Sequence, residues 1–168
     1  MFYDCNSLET LDLSGFDTSN VTNMNGMFWA CSKLSSINLS SFNTSKVTTM
    51  GGMFNSCETL KSLNISNFDT SNVTDMGGMF AWNGFETLDL NNFNTSKVTN
   101  MYQMFRQDTK LKTIYVSDLW DTSNVTNSSG MFQLCTSLTG AVPFDSTKID
   151  ATMANYTNGY FTYKKNTN

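Results

Sequence analysis

Two spacings of apolar residues alternate along this chain. In the first, apolar side chains stand two apart, as Ile37 and Leu39 do between Ser36, Asn38 and Ser40, which marks a short strand with one buried face. Matching segments lie at residues 8–13, 60–65, 85–90 and 111–116. In the second, Val47, Met50, Met53 and Phe54 follow at i, i+3, i+6 and i+7, the stripe of one helical face. Between them lies Ser40-Ser-Phe42-Asn-Thr-Ser, a polar turn around one large apolar residue, where Thr44 or Ser45 is placed to cap a helix start. Gly51 and Gly52 fall inside the stripe, and each weakens a helix by about 1 kcal/mol relative to Ala, so a short, partly 3₁₀ turn is predicted.

This unit recurs from one end of the chain to the other. Phe16-Asp-Thr-Ser-Asn-Val21 leads to Met27-Phe28, and the same pattern returns around Val47, Val73, Val98 and Val125, at spacings of 26, 26, 25 and 27 residues. A unit of one short strand and one short turn cannot bury its apolar side alone, whereas a stack of such units can. The predicted fold is therefore an α/β solenoid, leucine-rich-repeat-like, with short parallel strands on one face and short helical or 3₁₀ turns on the other, in about five to six coils. Its units lie near 5–30, 31–56, 57–82, 83–107 and 108–134 within a repeat region of residues 1–140. Inside, like residues should form columns: Leu11, Leu63 and Leu88; Phe16, Phe42, Phe68, Phe93 and Trp120; Met27, Met53, Met79, Met104 and Met131.

Past Phe132 the pattern decays. Leu138, Val142 and Phe144 begin a degenerate last coil, and Pro143, which cannot donate to a ladder, is expected to end strand pairing there. Tyr156, Tyr160, Phe161 and Tyr163 are expected to cover the last apolar face, so that residues 141–168 form a C-terminal cap, with a frayed end or a linker to more protein over residues 164–168. In the turn, Asp17 with Asn20 alternates with Asn43 and Lys46, then Asp69 with Asn72, Asn94 with Lys97 and Asp121 with Asn124. The alternation keeps like charges two coils apart and sets Lys46 near Asp17 and Asp69, pairs worth at most about 1 kcal/mol on a surface.

Composition narrows the class of partner. The 168 residues are 39% hydrophobic and 14% charged, enough for an ordered core, with a net charge of -4 and only ten Lys and Arg. Nucleic acid is not expected as a partner, because its phosphates call for clustered basic residues. Membrane insertion is not expected either, since no apolar run approaches the roughly 18 residues needed. Met1-Phe2 occupies the Met-Phe place of every later unit and Cys5 follows as Cys31 follows Met27, so the chain is expected to begin inside a repeat, with any targeting signal upstream.

The unit Cys-x-x-Leu-x-x-Leu-x-Leu, then Phe-Asp-Thr-Ser-x-Val-Thr-x-Met-x-x-Met-Phe, resembles the 26-residue repeat of bacterial surface proteins, a branch of the BspA-like leucine-rich repeats, over roughly residues 1–140. The resemblance implies a secreted or cell-wall-attached bacterial protein of the adhesin or host-interaction kind. It carries no catalytic motif. The sequence departs from the repeat at Asn83, Gly84 and Asp108, where the cysteine and its neighbours are replaced, and at Ser128, where a core Met is lost.

Catalysis is not expected. There is no histidine, which removes the commonest general base and neutral metal ligand together. Asp12 and Asp89 stand three coils, roughly 14 Å, apart, too far for glycosidase geometry. Cys5, Cys31, Cys57 and Cys135 occupy one repeat position and read as a column of small buried thiols, although adjacent coils bring Cys31 and Cys57 within disulfide range. No cofactor or metal is expected. Asn20, Asn72 and Asn124 match the N-glycan acceptor pattern as a by-product of the repeat, and Thr22, Thr48, Thr74, Thr99 and Thr126 are expected to bond locally at the helix start.

Two surfaces compete as binding sites. On the sheet face, Asp12, Asn38, Asn64, Asp89 and Tyr115 form one row. At the corner after each Met-Phe stand Tyr3, Trp29 and Trp82, with Arg106 in another coil, and exposed aromatics are favoured at interfaces and on sugars. The expected partner is a host extracellular or cell-surface protein or glycan, with the alternative of a structural spacer within a longer surface protein. The open N-terminal face is a further candidate for end-to-end self-association.

Overall fold

The computed structural model describes residues 1–167. Strands are few and short: β1 (Thr10–Asp12) pairs in parallel with β2 (Ser36–Asn38), and β3 (Thr87–Asp89) pairs in parallel with β4 (Thr113–Val116), which pairs in parallel with β5 (Thr162–Tyr163). Registers join Leu11 to Ile37 and Leu88 to Ile114, so equivalent positions of neighbouring units lie side by side. The expected strand at residues 60–65 is absent, which divides the pairing into two sheets.

The expected helical stripe is also absent, and its place is taken by a run of β-turns. Met53 N–H donates to Met50 O at 3.1 Å and Asn55 N–H to Gly52 O at 3.1 Å, while the amides that alternate with them, Gly52 and Phe54, donate to Gly77 O and Met79 O of the next unit at 2.8 and 3.0 Å. Alternate amides therefore point along the stack. Two residues per unit adopt the left-handed conformation that a helix cannot contain, such as Gly52 at φ 61 and Ser56 at φ 59. Parallel bridges Asn23–Thr49–Asp75–Asn100–Asn127 make this second ladder continuous across the gap in the sheets. Among the described residues, 3₁₀ structure is confined to Ala151–Met153, capped by the Asp150 side chain.

Polar side chains hold the turns together between units as well as within them. The buried threonines Thr18, Thr44, Thr70 and Thr95 donate to the backbone carbonyls of Asn43, Asp69, Asn94 and Asp121 at 2.7–2.9 Å, so Thr44 serves the next unit and caps no helix. Thr48, Thr74, Thr99 and Thr126 likewise bond the preceding unit's threonine carbonyl at 3.2 Å instead of bonding locally. Lys46 and Lys97 donate to the amide oxygens of Asn20 and Asn72 at 2.8 and 2.7 Å, and among the described residues Lys46 forms no salt bridge with Asp17 or Asp69.

The core is a set of columns. Phe2, Phe28, Phe54, Phe80, Phe105 and Phe132 stack with centroids 5.5–6.0 Å apart and planes within 17° of parallel. Each buried ring contributes about 1.5–3 kcal/mol, and each stacked pair about 0.5–1.5 kcal/mol more. Phe42 and Phe68 stack in a second column, centroids 6.3 Å apart. Tyr160 and Phe161, both fully buried, meet Phe132 edge-on at the end of the first column. Pairing does not stop at Pro143, because β5 arrives from beyond the degenerate coil and extends the sheet on β4. Nor is the tail free after Tyr163: Lys164 N–H donates to Val116 O, and Asn91 Nδ2 donates to Lys165 O. The final residue of the expected frayed end, Asn168, lies outside the described residues. Where a core Met is lost, the Ser128 hydroxyl accepts from Ala151 N–H at 3.1 Å and docks the 3₁₀ turn.

All four cysteines are free thiols. Cys31, Cys57 and Cys135 donate to the carbonyls of Phe2, Phe28 and Phe105 in the preceding unit, at 3.0, 3.2 and 2.7 Å. Burial pushes the Cys57 thiol up to about 12 and Cys135 higher still. Asn83, in the cysteine place of the shortened unit, imitates the thiol by donating to Phe54 O at 3.0 Å. Asp108 takes the next such place, fully buried, with Oδ1 accepting from Asn83 N–H at 2.6 Å and Oδ2 without a partner.

Candidate binding groove

The turn run sets one residue of each unit at the corner after Phe. Tyr3 and Trp29 stand there 63% and 39% exposed, with ring centroids 6.1 Å apart. Trp29 lies flat over the next unit because Gly52 has no side chain: a Cβ there would stand 2.6 Å from Trp29 Cε3. Gly52 is also left-handed, so glycine meets two demands at this point.

Beyond Trp29 runs a groove of about 410 Å³. Gly51 and Gly77 form its floor, Asn25 stands at one end and Tyr102, 44% exposed, at the other. Asn25, Gly51, Gly77 and Tyr102 are equivalent positions in successive units, so the trough exists because two neighbouring units carry no side chain where their flankers do. Asx turns organise its edge: Gly77 N–H donates to Asp75 Oδ1 at 2.9 Å and Tyr102 N–H to Asn100 Oδ1 at 3.1 Å. Asn100 Nδ2 also donates to Asp75 Oδ1 at 2.8 Å, and Thr49 Oγ1 to Asn25 Oδ1 at 2.6 Å. These bonds leave Asp75 Oδ2, Asn25 Nδ2 and the Tyr102 hydroxyl to a guest, and Asp75 Oδ2 lies 3.4 Å from where a Gly51 Cβ would stand.

Trp82 and Arg106 do not join this group. Trp82 stands one residue later in its unit, at the left-handed position with φ 57, and buried Ala81 occupies the place of Trp29. The Arg106 guanidinium lies 4.8 Å above the Trp82 ring, with its Nε buried and without a hydrogen-bond partner, and Trp82 lines a separate pocket that includes Glu58 and Lys110. The sequence pattern groups Tyr3, Trp29, Trp82 and Arg106 and misses Asn25, Asp75, Asn100 and Tyr102; the structure keeps Tyr3 and Trp29 together at this groove and sets Trp82 and Arg106 apart. The available signal was Tyr102, which breaks a column that reads Gly51, Gly77.

On the sheet face, registers place Asp12 beside Asn38 and Asp89 beside Tyr115, while Asn64 lies in the gap between sheets. Oδ1 of Asp12, Asn38, Asn64 and Asp89 accepts the amide two residues on, at 3.0–3.2 Å, closing the turn after each strand. The Ser14 backbone N–H is the main influence holding the Asp12 carboxyl below its ordinary range. Lys164 pairs with Asp89 and lies 5.6 Å from the Tyr115 ring, covering that end of the row. No cluster of three His, Cys, Asp or Glu among the described residues is placed to hold a metal ion, and no described helix is long and apolar enough to cross a membrane.

A family model described as "Mycoplasma protein of unknown function, DUF285" matches residues 1–86 and 64–168. No curated protein matches the chain. Among solved structures it is similar to a leucine-rich repeat protein from Bacteroides ovatus ATCC 8483, at 17% identity and a TM-score of 0.44, over 75% of this chain and 38% of that one. The chain therefore spans well under two thirds of the length of that protein.

Proposed function

We propose, from the premise that this chain belongs to the family described as Mycoplasma protein of unknown function, DUF285, that it is a non-catalytic binding module of the BspA-like, leucine-rich-repeat kind. Its stacked units form a solenoid displayed outside the bacterial cell, which engages a host or neighbouring-cell protein or glycan. The observation that carries this reading is the gathering of exposed Tyr3, Trp29 and Tyr102 around one groove, whereas the repeat's own phenylalanines from Phe28 to Phe132 are buried. Rings held on a frame of short inter-unit hydrogen bonds lose little freedom on binding, which is why they serve as anchors.

The test is binding of the purified chain to a panel of extracellular-matrix proteins and glycans, with Trp29→Ala and Tyr115→Ala alongside. Saturable binding lost with Trp29→Ala and kept with Tyr115→Ala is the expected result. Silence across both panels would count against the module and favour the second reading, a spacer within a longer surface protein. The sheet face supports that second reading, because its carboxylates and amides are already engaged in their own turns.

A further inference from the structure

We infer that the groove between Trp29 and Tyr102 is a saccharide subsite, taking a short stretch of an uncharged pyranose glycan; this rests on the binding-module reading above. A pyranose presents a C–H face and a rim of hydroxyls that each donate and accept. Trp29 and Tyr3 offer exposed aromatic faces at one end and Tyr102 a ring and hydroxyl at the other. Between them the floor is backbone, with Asp75 Oδ2 as an acceptor and Asn25 Nδ2 as a donor.

Length and charge narrow the guest. Asn25 and Tyr102 are three units apart, and at roughly 4.8 Å per unit the trough is about 14 Å long, room for a short oligosaccharide rather than one ring. The unit step is close to the size of one sugar, so a row of groups repeating along the stack meets successive residues of a glycan chain. Asp75 makes no ion pair among the described residues, and no Lys or Arg lines the groove. A carboxylate with no cation near it disfavours sialylated, sulfated and uronate sugars. The groove also lacks the deep apolar pocket that a protein side chain would fill.

The experiment is a glycan array of neutral, sialylated, sulfated and uronate oligosaccharides, followed by titration of hits against the 168-residue chain and three variants. Tyr102→Gly restores the residue that neighbouring units carry at Gly51 and Gly77, so its fold is not in question. Trp29→Ala and Asp75→Asn remove the platform and the acceptor. Neutral oligosaccharides are expected to bind, with affinity falling about tenfold in Trp29→Ala and severalfold in Tyr102→Gly. Binding only to anionic glycans, or neutral binding indifferent to Trp29→Ala and Tyr102→Gly, would overturn the inference. A silent array overturns it as well. Matrix-protein binding in the same preparation would then leave the module reading standing, and silence there too would remove both.

Discussion

Asp108 offers the sharpest test of how this chain tolerates edits to its repeat. In three other units its place holds a thiol that donates to a carbonyl in the preceding unit, Cys135 to Phe105 O being the nearest case, and in the shortened unit Asn83 donates in the same way. Asp108 has no such proton when ionised. Oδ1 takes the Asn83 N–H, and Oδ2 is buried without a partner. Burial pushes its pKa well above the ordinary 3.8, opposed only by the bond from the Asn83 backbone. A carboxyl whose folded value is raised is favoured neutral in the fold. Its contribution is fully present below the unfolded value and is lost as pH rises through the folded one.

The Asp108→Asn variant keeps the shape, keeps an oxygen for Asn83 N–H and supplies an N–H₂ that no pH removes. It is expected to be more stable than the parent by about 1–3 kcal/mol at pH 8, the cost of leaving a buried polar group unpaired. The advantage should shrink toward zero by pH 4. For a chain this size that is about 2–4 °C of Tm per kcal/mol. Urea unfolding at successive pH values reads it directly, and the window is clean because the chain has no histidine. Asp12, Asp17, Glu86, Asp145 and Asp150 are all held low, chiefly by hydrogen bonds from Ser14, Ser19, Lys112, Thr147 and Thr152, so their losses begin only at the acid end of the window and are shared by both proteins. A stability difference independent of pH, or an Asn variant weaker at pH 8, would refute the reasoning.

Four further outcomes follow from the columns and turns. Phe68→Ala removes a ring that is 2% exposed and stacked on Phe42, and should cost about 3–5 kcal/mol in thermal unfolding; an unchanged midpoint would contradict the packing. Thr44→Val conserves volume but strips both the donor to Asp69 O and the acceptor of Asp69 N–H, each at 2.8 Å, so a loss of about 1–3 kcal/mol is expected by urea titration. Gln107→Gly relieves an exposed left-handed residue at φ 64 and should gain up to about 1 kcal/mol, whereas Gly52→Ala, with a Cβ 2.6 Å from Trp29, should lose stability and shift tryptophan emission together.

The columns were legible because near-identical units fix which residue lies above which, and parallel registers such as Leu88 on Ile114 follow from that alone; the exception is Phe16, expected inside its column with Phe42, Phe68, Phe93 and Trp120 but 39% exposed in the first unit. The helix was not. Met50, Met53 and Phe54 have helical spacing, yet inward-facing residues three apart also fit the two ends of a hydrogen-bonded β-turn, as Met50 and Met53 are here. What decides is the left-handed backbone, and Ala30, Trp82 and Leu134 adopt it without any glycine to announce it. The strand β5 was hidden because Thr162 and Tyr163 lie outside the repeat. The groove was hidden for a different reason: it belongs to no single unit, arising only where Gly51 and Gly77 are flanked in space by Asn25 and Tyr102.

That separation between what repeats and what varies connects the fold to its use. Backbone amides of the turn run bond the next unit, and buried threonines add a second set of bonds, so neighbouring units hold together through groups other than the side chain at the position of Asn25, Gly51, Gly77 and Tyr102. The side chain there tops a turn already closed by its own Asx bond, as at Gly77 and Tyr102. Exchanging glycine for tyrosine at such a place redraws the trough without touching the core. A binding surface on this frame can therefore change its guest through one position per unit, and it is at that position, more than in the phenylalanine columns, that specificity should be sought.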